Sequence, residues 1–306
     1  MLYERVFPRF VARPSLQPRA KSGSGAALRI RWWGTAAHVV ETDTTRVLID
    51  PYLSRPSLAR LFVRRLSPDE AQLRARLPAH VDAVLCGHSH FDHLLDAPTI
   101  AKWTGAKLAG SATTCAFARA SGVAESQLIA VPPDGARFTV GDIHVRFVPS
   151  KHGRILFGRV PFPGEVKEPP PLPARAWHYR MGGAFGLLLE ANGVRVYHNG
   201  SADLVDAELA GEHADVLLVG LSGRKSTPEY LRRLTTALRP SLIVPTHHDA
   251  FFAPLDRGLH LLPGIDLDGF VADARSCAPA ARVVTPEYDE PLAVPRGEVR
   301  DAVLLA

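Results

Sequence analysis

The chain reads as an α/β protein in which helices pack on sheets. Three features say so. Short apolar runs recur and stop at Gly, Pro or Asp, as in Arg46–Asp50 before Pro51, Val81–Leu85 before Gly87 and Ala214–Gly220. Helix-start signals fall between those runs, notably Ser67-Pro68-Asp69-Glu70 and Ser226-Thr227-Pro228-Glu229. Asn192-Gly193 joins two apolar runs, the strongest short hairpin signal a sequence offers. Alternating elements of this kind are satisfied when helices cover sheets.

Taken in order, the first 26 residues carry scattered arginines and prolines with no continuous apolar core, and Ser22–Gly25 has linker composition. They read as an arm and linker, followed by one domain over residues 27–306. Leu28–Trp33 alternates apolar and basic residues as a strand does, and Ala37–Thr42 and Arg46–Asp50 follow as two more. His38 fits a packed histidine better than a ligand. The densest basic run, Arg55–Arg76, reads as one or two solvated helices, the second opening at Ser67 as N-cap and ending near Leu77.

Beyond the strand at Val81–Leu85, Ala97–Thr104 and Thr113–Ser121 have helical character. Lys107–Ala109 and Gln127–Val131 are strands. Phe138–Val140 and Asp142–Val148 form a hairpin around Gly141-Asp142. The segment from Gly153 to about residue 176 holds Pro161-Phe162-Pro163-Gly164 and Pro169–Pro173, which excludes regular helix and central strand. It reads as a lid-like loop facing a substrate. Ala184–Glu190 and Val194–His198 are the arms of the Asn-Gly hairpin. A helix to about Leu238 and strands at Ser241–Val244 and Arg282–Thr285 complete the pattern, with the region after Phe251 otherwise mixed.

The 306 residues suffice for one large or two small domains, and 46% hydrophobic with 22% charged residues is ordinary for a globular protein. No stretch approaches the roughly 20 apolar residues of a membrane span. Cys86, Cys115 and Cys277 are too few and too scattered for a disulfide framework, so a reducing cytoplasm is the expected compartment. The net charge of +5 and isoelectric point near 9.3 raise nucleic acid or an anionic lipid surface as partners. The charge is dispersed, however, and no stable nucleic-acid partner is expected.

The chemistry concentrates in Gly87–His93, GHSHFDH, at the end of a strand. Residues two apart in an extended loop point the same way, so His88 and His90 can face one ion while Asp92 and His93 turn toward a second position. Imidazole and carboxylate suit zinc, manganese or iron. The H-x-H-x-D-H spacing resembles the metallo-β-lactamase superfamily. The WGTA start, the Asp50-Pro51 pair, SKHG at 150–153 and PTHHD at 245–249 resemble its ascorbate-6-phosphate lactonase and N-acyl-phosphatidylethanolamine phospholipase D-like group. The resemblance spans about Leu28–Thr285.

That resemblance implies an αββα sandwich with metals at one edge between the sheets. It implies two divalent ions, Zn2+ first and Mn2+ or Fe2+ as alternatives. His88, His90 and His152 would hold one, and Asp92, His93 and His247 the second. Asp50 would brace the histidine loop from behind. The family's bridging aspartate departs from its pattern here: Ser201 stands at its place, and Asp203, two residues on, is the candidate bridge, with His198 as a substitute. Lys151, His198 and His248 are candidate contacts to an anionic small-molecule or lipid-like substrate. The implied activity is a metal-dependent hydrolase in which metal coordination activates hydroxide against an ester, lactone or phosphodiester, with Asp92 orienting the nucleophile and handling its proton. The alternatives are a degenerate fold that binds metal without catalysis, and a nuclease.

Overall fold

The computed structural model describes residues 6–10, 26–155, 157–295 and 303–304. Two mixed β-sheets lie face to face, each covered by helices on its outer side, forming four αββα layers. The first sheet contains β1 (Ala26–Trp32), β2 (His38–Glu41), β3 (Arg46–Ile49), β4 (Ala83–Leu85), β5 (Lys107–Gly110), β6 (Leu128–Ala130), β14 (Leu292–Pro295) and β15 (Val303–Leu304), in the order β15-β14-β1-β2-β3-β4-β5-β6. The second contains β7 (Ala136–Val140), β8 (Ile143–Pro149), β9 (Phe185–Ala191), β10 (Val194–Asn199), β11 (Val216–Gly220), β12 (Leu242–Thr246) and β13 (Arg282–Val283), in the order β13-β12-β11-β10-β9-β8-β7.

The apolar runs have no polar alternation because both faces of each central strand are buried. Side chains alternate across a strand. Val47 and Ile49 of β3 therefore enter the core between the sheets, while Leu48 enters the core under the first helical layer. Leu187 and Leu189 of β9 and Val216 and Leu218 of β11 face the same inter-sheet core. Leu188, Leu217 and Val219 face the second helical layer. A slip of one residue in any of these strands would exchange the two sets, so the register is strongly held.

The helices are α1 (Leu58–Val63), α2 (Glu70–Arg76), α3 (Phe91–Leu94), α4 (Ala97–Thr104), α5 (Ala112–Ala120), α6 (Tyr230–Leu238) and α7 (Leu267–Cys277). Two starts differ from the sequence reading. The cap of α2 is Asp69, whose carboxylate accepts from the Gln72 amide, rather than Ser67. Helix α6 begins after Glu229, whose φ of 48° breaks the chain from Pro228. Helix α7 lay in the stretch read as mixed; Asp266 caps it, and Leu267, Phe270, Val271 and Ala274 form its buried stripe.

Residues 22–25, read as a linker, lie outside the described residues. Of the arm, residues 6–10 pair along 259–261: Phe10 N donates to Leu259 O at 2.9 Å and Leu261 N to Pro8 O at 2.8 Å. At the hairpin between β9 and β10, Asn192 and Gly193 both have positive φ, 52° and 77°, as a type I′ turn requires. Strands β3 to β6 run parallel, as do β10 to β12. The carboxyl ends of parallel strands are where loops converge on a ligand in α/β sheets. Strand β4 leads into Gly87–His93, β12 into His247, and the antiparallel β8 into His152.

Candidate metal centre

These loops bring together six side chains in two groups of three. His88, His90 and His152 form one, and Asp92, His93 and His247 the other. Within each, one ligand-capable atom per residue lies within 4.8 Å of the others. The groups adjoin: the His88 and His93 rings are 3.7 Å apart between centroids, and His88 and His152 are 4.9 Å apart. Among the described residues no other group of this kind occurs.

Local hydrogen bonds leave each ring a free nitrogen. His90 Nε2 bonds the Pro161 carbonyl at 2.9 Å, which leaves Nδ1. His152 Nδ1 bonds the Gly153 carbonyl at 2.7 Å, which leaves Nε2. His88 Nε2 is buried without a hydrogen-bond partner. Such an atom is costly in a folded protein unless something coordinates it. Burial drives all three imidazoles toward the neutral, lone-pair-bearing form. His88 falls well below its ordinary value, helped by the neighbouring histidines. His90 falls to about 3 and His152 to about 4. Neutral imidazole is the form that binds metal.

The second group is electrostatically different. Burial pushes the Asp92 carboxyl up, but His93 and His247 overcome it and hold the group ionised below the usual range. Asp92 Oδ2 lies 3.3 Å from His247 Nε2 and 3.7 Å from His93 Nε2. His93 loses some basicity to burial, yet Asp50 and Asp92 raise it overall. Its Nδ1 lies 2.9 Å from Asp50 Oδ2, and Asp50 Oδ1 accepts the Gly87 amide at 2.6 Å. Asp50 therefore fixes both the start of the histidine loop and the ring that ends it. The site is tight at Gly87, where a Cβ would sit 3.2 Å from both Asp50 Oδ2 and the Phe185 carbonyl. Three neutral imidazoles, an ionised carboxylate and a buried unpartnered nitrogen fit divalent metal.

Asp203 belongs to neither group, and its Oδ1 accepts the Leu204 amide at 2.8 Å. Its backbone carbonyl is held by Asn199 Nδ2 at 2.8 Å and Ser150 Oγ at 2.9 Å, after a turn in which Ala202 has φ of 57°. His198 also belongs to neither group. It is fully buried, with Nε2 on the Ala36 carbonyl at 3.0 Å and its ring edge-on to His38. His38 is packed as expected, with Nδ1 on Ala36 O at 3.1 Å.

The three substrate candidates also lie elsewhere. A cavity of about 830 Å³ opens over the two groups and is lined by His90, Asp92, His152 and His247 at one end, but not by Lys151, His198 or His248. His248 faces away from its neighbour His247 and stacks on Trp32 at 4.6 Å. Lys151 is exposed, and its carbonyl accepts from Ser201 Oγ at 2.9 Å.

The cavity walls hold what the sequence reading missed, Phe91, Phe251 and Phe252, with Arg154 and Lys225 among the polar lining; Phe162, from the segment read as a lid, and Trp177 line it too. Phe91 sits inside the motif and Phe251 just beyond PTHHD, so adjacency was the available signal. The proline-rich segment contributes Pro161 and Phe162 to the cavity lining. Besides Pro161 on His90, Phe162 O accepts the Met181 amide at 2.9 Å and Val166 N donates to Thr113 Oγ1 at 2.9 Å. Arg55, read as part of a solvated run, is buried instead. Its Nη2 lies 2.6 Å from Asp249 Oδ2 and its Nε donates to the Ala253 carbonyl at 2.7 Å.

A family model described as the β-lactamase superfamily domain matches residues 29–247. A UPF0173 metal-dependent hydrolase of Methanopyrus kandleri is 30% identical over 229 residues, covering 73% of this chain and 85% of its own. One from Anaeromyxobacter dehalogenans is 30% identical over 246 residues, covering 78% and 79%. Among solved structures, Igni18, a metallo hydrolase from Ignicoccus hospitalis, superposes with a TM-score of 0.55 at 21% identity, over 86% of this chain and 97% of that one.

Proposed function

The chain belongs to the metallo-β-lactamase superfamily and to its UPF0173 metal-dependent hydrolases, and from that premise we propose that it cleaves an ester, lactone or phosphodiester bond in a small substrate with an apolar part. The observation that carries this is the placement of two adjoining three-ligand groups at one end of an apolar cavity. His88, His90 and His152 would hold one divalent ion, and Asp92, His93 and His247 would hold a second. Zinc suits the nitrogen-rich first set, with manganese or iron as alternatives. Bound there, such ions would supply Lewis acidity and lower the pKa of a coordinated water.

The chain's own residues do the rest. Asp50 holds the His93 ring by Nδ1 and keeps Nε2 turned toward Asp92. Such outer contacts set ligand orientation and basicity. Asp92 stays ionised at the boundary of the two groups, where a carboxylate can hold the nucleophile's proton and return it to the leaving group. Phe91, Phe162, Phe251 and Phe252 exclude bulk water and seat the apolar part of the substrate. The resemblance to the lactonase and phospholipase D-like group supports an oxygen-ester or phosphodiester bond.

The test is metal content by elemental analysis together with turnover of a chromogenic carboxylic ester, a lactone and bis(p-nitrophenyl) phosphate. Metal-loaded protein should turn over at least one class, and Asp92→Asn should lower that rate by about 10²-fold or more, the range of general acid–base catalysis. One specific observation favours a second reading, a metal-binding fold without catalysis: neither Ser201 nor Asp203 provides the usual bridging carboxylate. Metal bound stoichiometrically with no turnover of any class would establish that reading instead.

A further inference from the structure

The described residues leave seven large hydrophobic side chains exposed, and four of them line one opening. Leu58, Phe62, Ile155 and Trp177 both line the cavity and reach solvent. Val63 follows Phe62, and Phe157 sits between the lining residues Ile155 and Gly158. Phe157 is 98% exposed and Phe62 70%. Scattered exposed hydrophobics are ordinary, but a contiguous rim of them marks an interaction surface.

The rim is built from three stretches that meet. Residues 57–66 contain α1, which buries Leu61 and presents Leu58, Phe62 and Val63 outward. Residues 151–160 follow β8 and carry Ile155 and Phe157. Residues 174–180 carry Trp177. The first and third are joined by Leu66 N on the Ala174 carbonyl at 2.7 Å. In sequence these stretches contain Arg60, Arg64, Arg65, Lys151, Arg154, Arg159, Arg175 and Arg180, and no Asp or Glu. The acids nearby are Glu165 and Glu168, beside Lys167 in sequence, and Asp266, which lines the cavity and accepts from Gly269 N at 2.8 Å in capping α7.

We propose that this rim is a docking surface for an anionic lipid bilayer, which places the mouth of the cavity against the membrane. Exposed aromatic and aliphatic side chains among arginines are what an interfacial protein inserts at the headgroup level. The cations are drawn to the negative surface potential of anionic leaflets. Charge decides against the other occupant such a rim invites, a second copy of this chain. A two-fold dimer would press the patch on itself and set the eight cations of these stretches against the same eight. No helix among the described residues is long and apolar enough to cross a membrane, so the association is with the surface. Docking goes beyond the hydrolase reading and does not depend on turnover.

The experiment is co-sedimentation of the purified metal-loaded protein with phosphatidylcholine vesicles containing, or lacking, about 30% phosphatidylglycerol, probed in low and about 0.5 M salt. Phe62→Ser/Phe157→Ser is the test variant, since both side chains are in solvent and circular dichroism can verify its fold. The proposal expects binding to the anionic vesicles, weakened at least about tenfold by the variant and by high salt, as exposed charge interactions are screened. Absence of binding to anionic vesicles at low salt overturns it, as does equal binding by the variant. A dimer in analytical ultracentrifugation that the variant abolishes, without vesicle binding, assigns the rim to a second copy. Turnover of soluble substrates is read separately, so loss of that activity leaves the docking result standing.

Discussion

The guanidinium of Arg55 and the carboxylate of Asp249 lie 2.6 Å apart with side chains 1% and 0% exposed, across 194 residues of sequence. Asp249 also takes the Tyr288 hydroxyl at 2.8 Å and the Thr35 amide at 2.7 Å. The Thr35 carbonyl in turn accepts the His247 amide at 2.7 Å. The pair thus ties the loop after β12 to the turn between β1 and β2, and holds His247 at its φ of 52°. Removing one member of a buried ion pair strands the other and typically costs about 3–5 kcal/mol. Arg55→Ala should therefore lower unfolding free energy by roughly that amount in urea titration. A loss within about 0.5 kcal/mol, the range of ordinary surface substitutions, would show the pair to be dispensable.

Asp50 makes a separable prediction. It reaches no cavity surface and acts through His93 and Gly87. Asp50→Asn suits the backbone, since Asn tolerates the φ of 43° found there. The neutral amide cannot support the His93 ring as a carboxylate does. Loss of such an outer contact typically weakens metal affinity about 10–100-fold. Metal titration should show that loss at one of two sites, with the circular dichroism spectrum unchanged; unaltered affinity at both would leave Asp50 a purely structural residue.

Asp203 and Asp92 should part company. Asp203→Ala removes a side chain bonded to the Leu204 amide and should leave metal content unchanged. Asp92→Ala removes a ligand-capable oxygen from the second group and should lower content toward one ion per chain. Elemental analysis of both variants decides between them. A drop in the Asp203 variant alone would restore it as the bridge.

How legible the site was follows from the distances involved. His88, His90, Asp92 and His93 lie within six positions at a strand end, so local geometry already aims them together. Likewise Asn192-Gly193 declares its turn by backbone preference alone. Arg55 could not be read: in a run of arginines, only a partner 194 residues away makes it the buried one. Lys151, His198 and His248 were chosen by nearness in sequence to ligands. Adjacent residues face opposite ways, so nearness there placed His248 against Trp32. Helix α7 was legible in principle from Asp266 and the spacing of Leu267, Phe270, Val271 and Ala274.

Asp96 carries a pH dependence opposite to that of most carboxylates. It is fully buried and accepts the Leu53 amide at 2.6 Å, the Ser54 amide at 2.8 Å and the Ser54 hydroxyl. Burial outweighs those three bonds and raises its pKa from 3.8 to about 6. The folded protein therefore binds this proton more tightly than the unfolded chain. Its favourable contribution is fully present below the unfolded value and disappears as pH rises through about 6. At about 1.4 kcal/mol per pH unit, the contribution is roughly 3 kcal/mol. Asp96→Asn has no such proton. The difference in unfolding free energy, wild type minus variant, should fall by about 2 kcal/mol between pH 4 and pH 6, with the remainder of the change outside that interval. Chemical denaturation at several pH values measures it. A difference that stays flat or rises across this interval would mean that the three hydrogen bonds, rather than burial, govern Asp96.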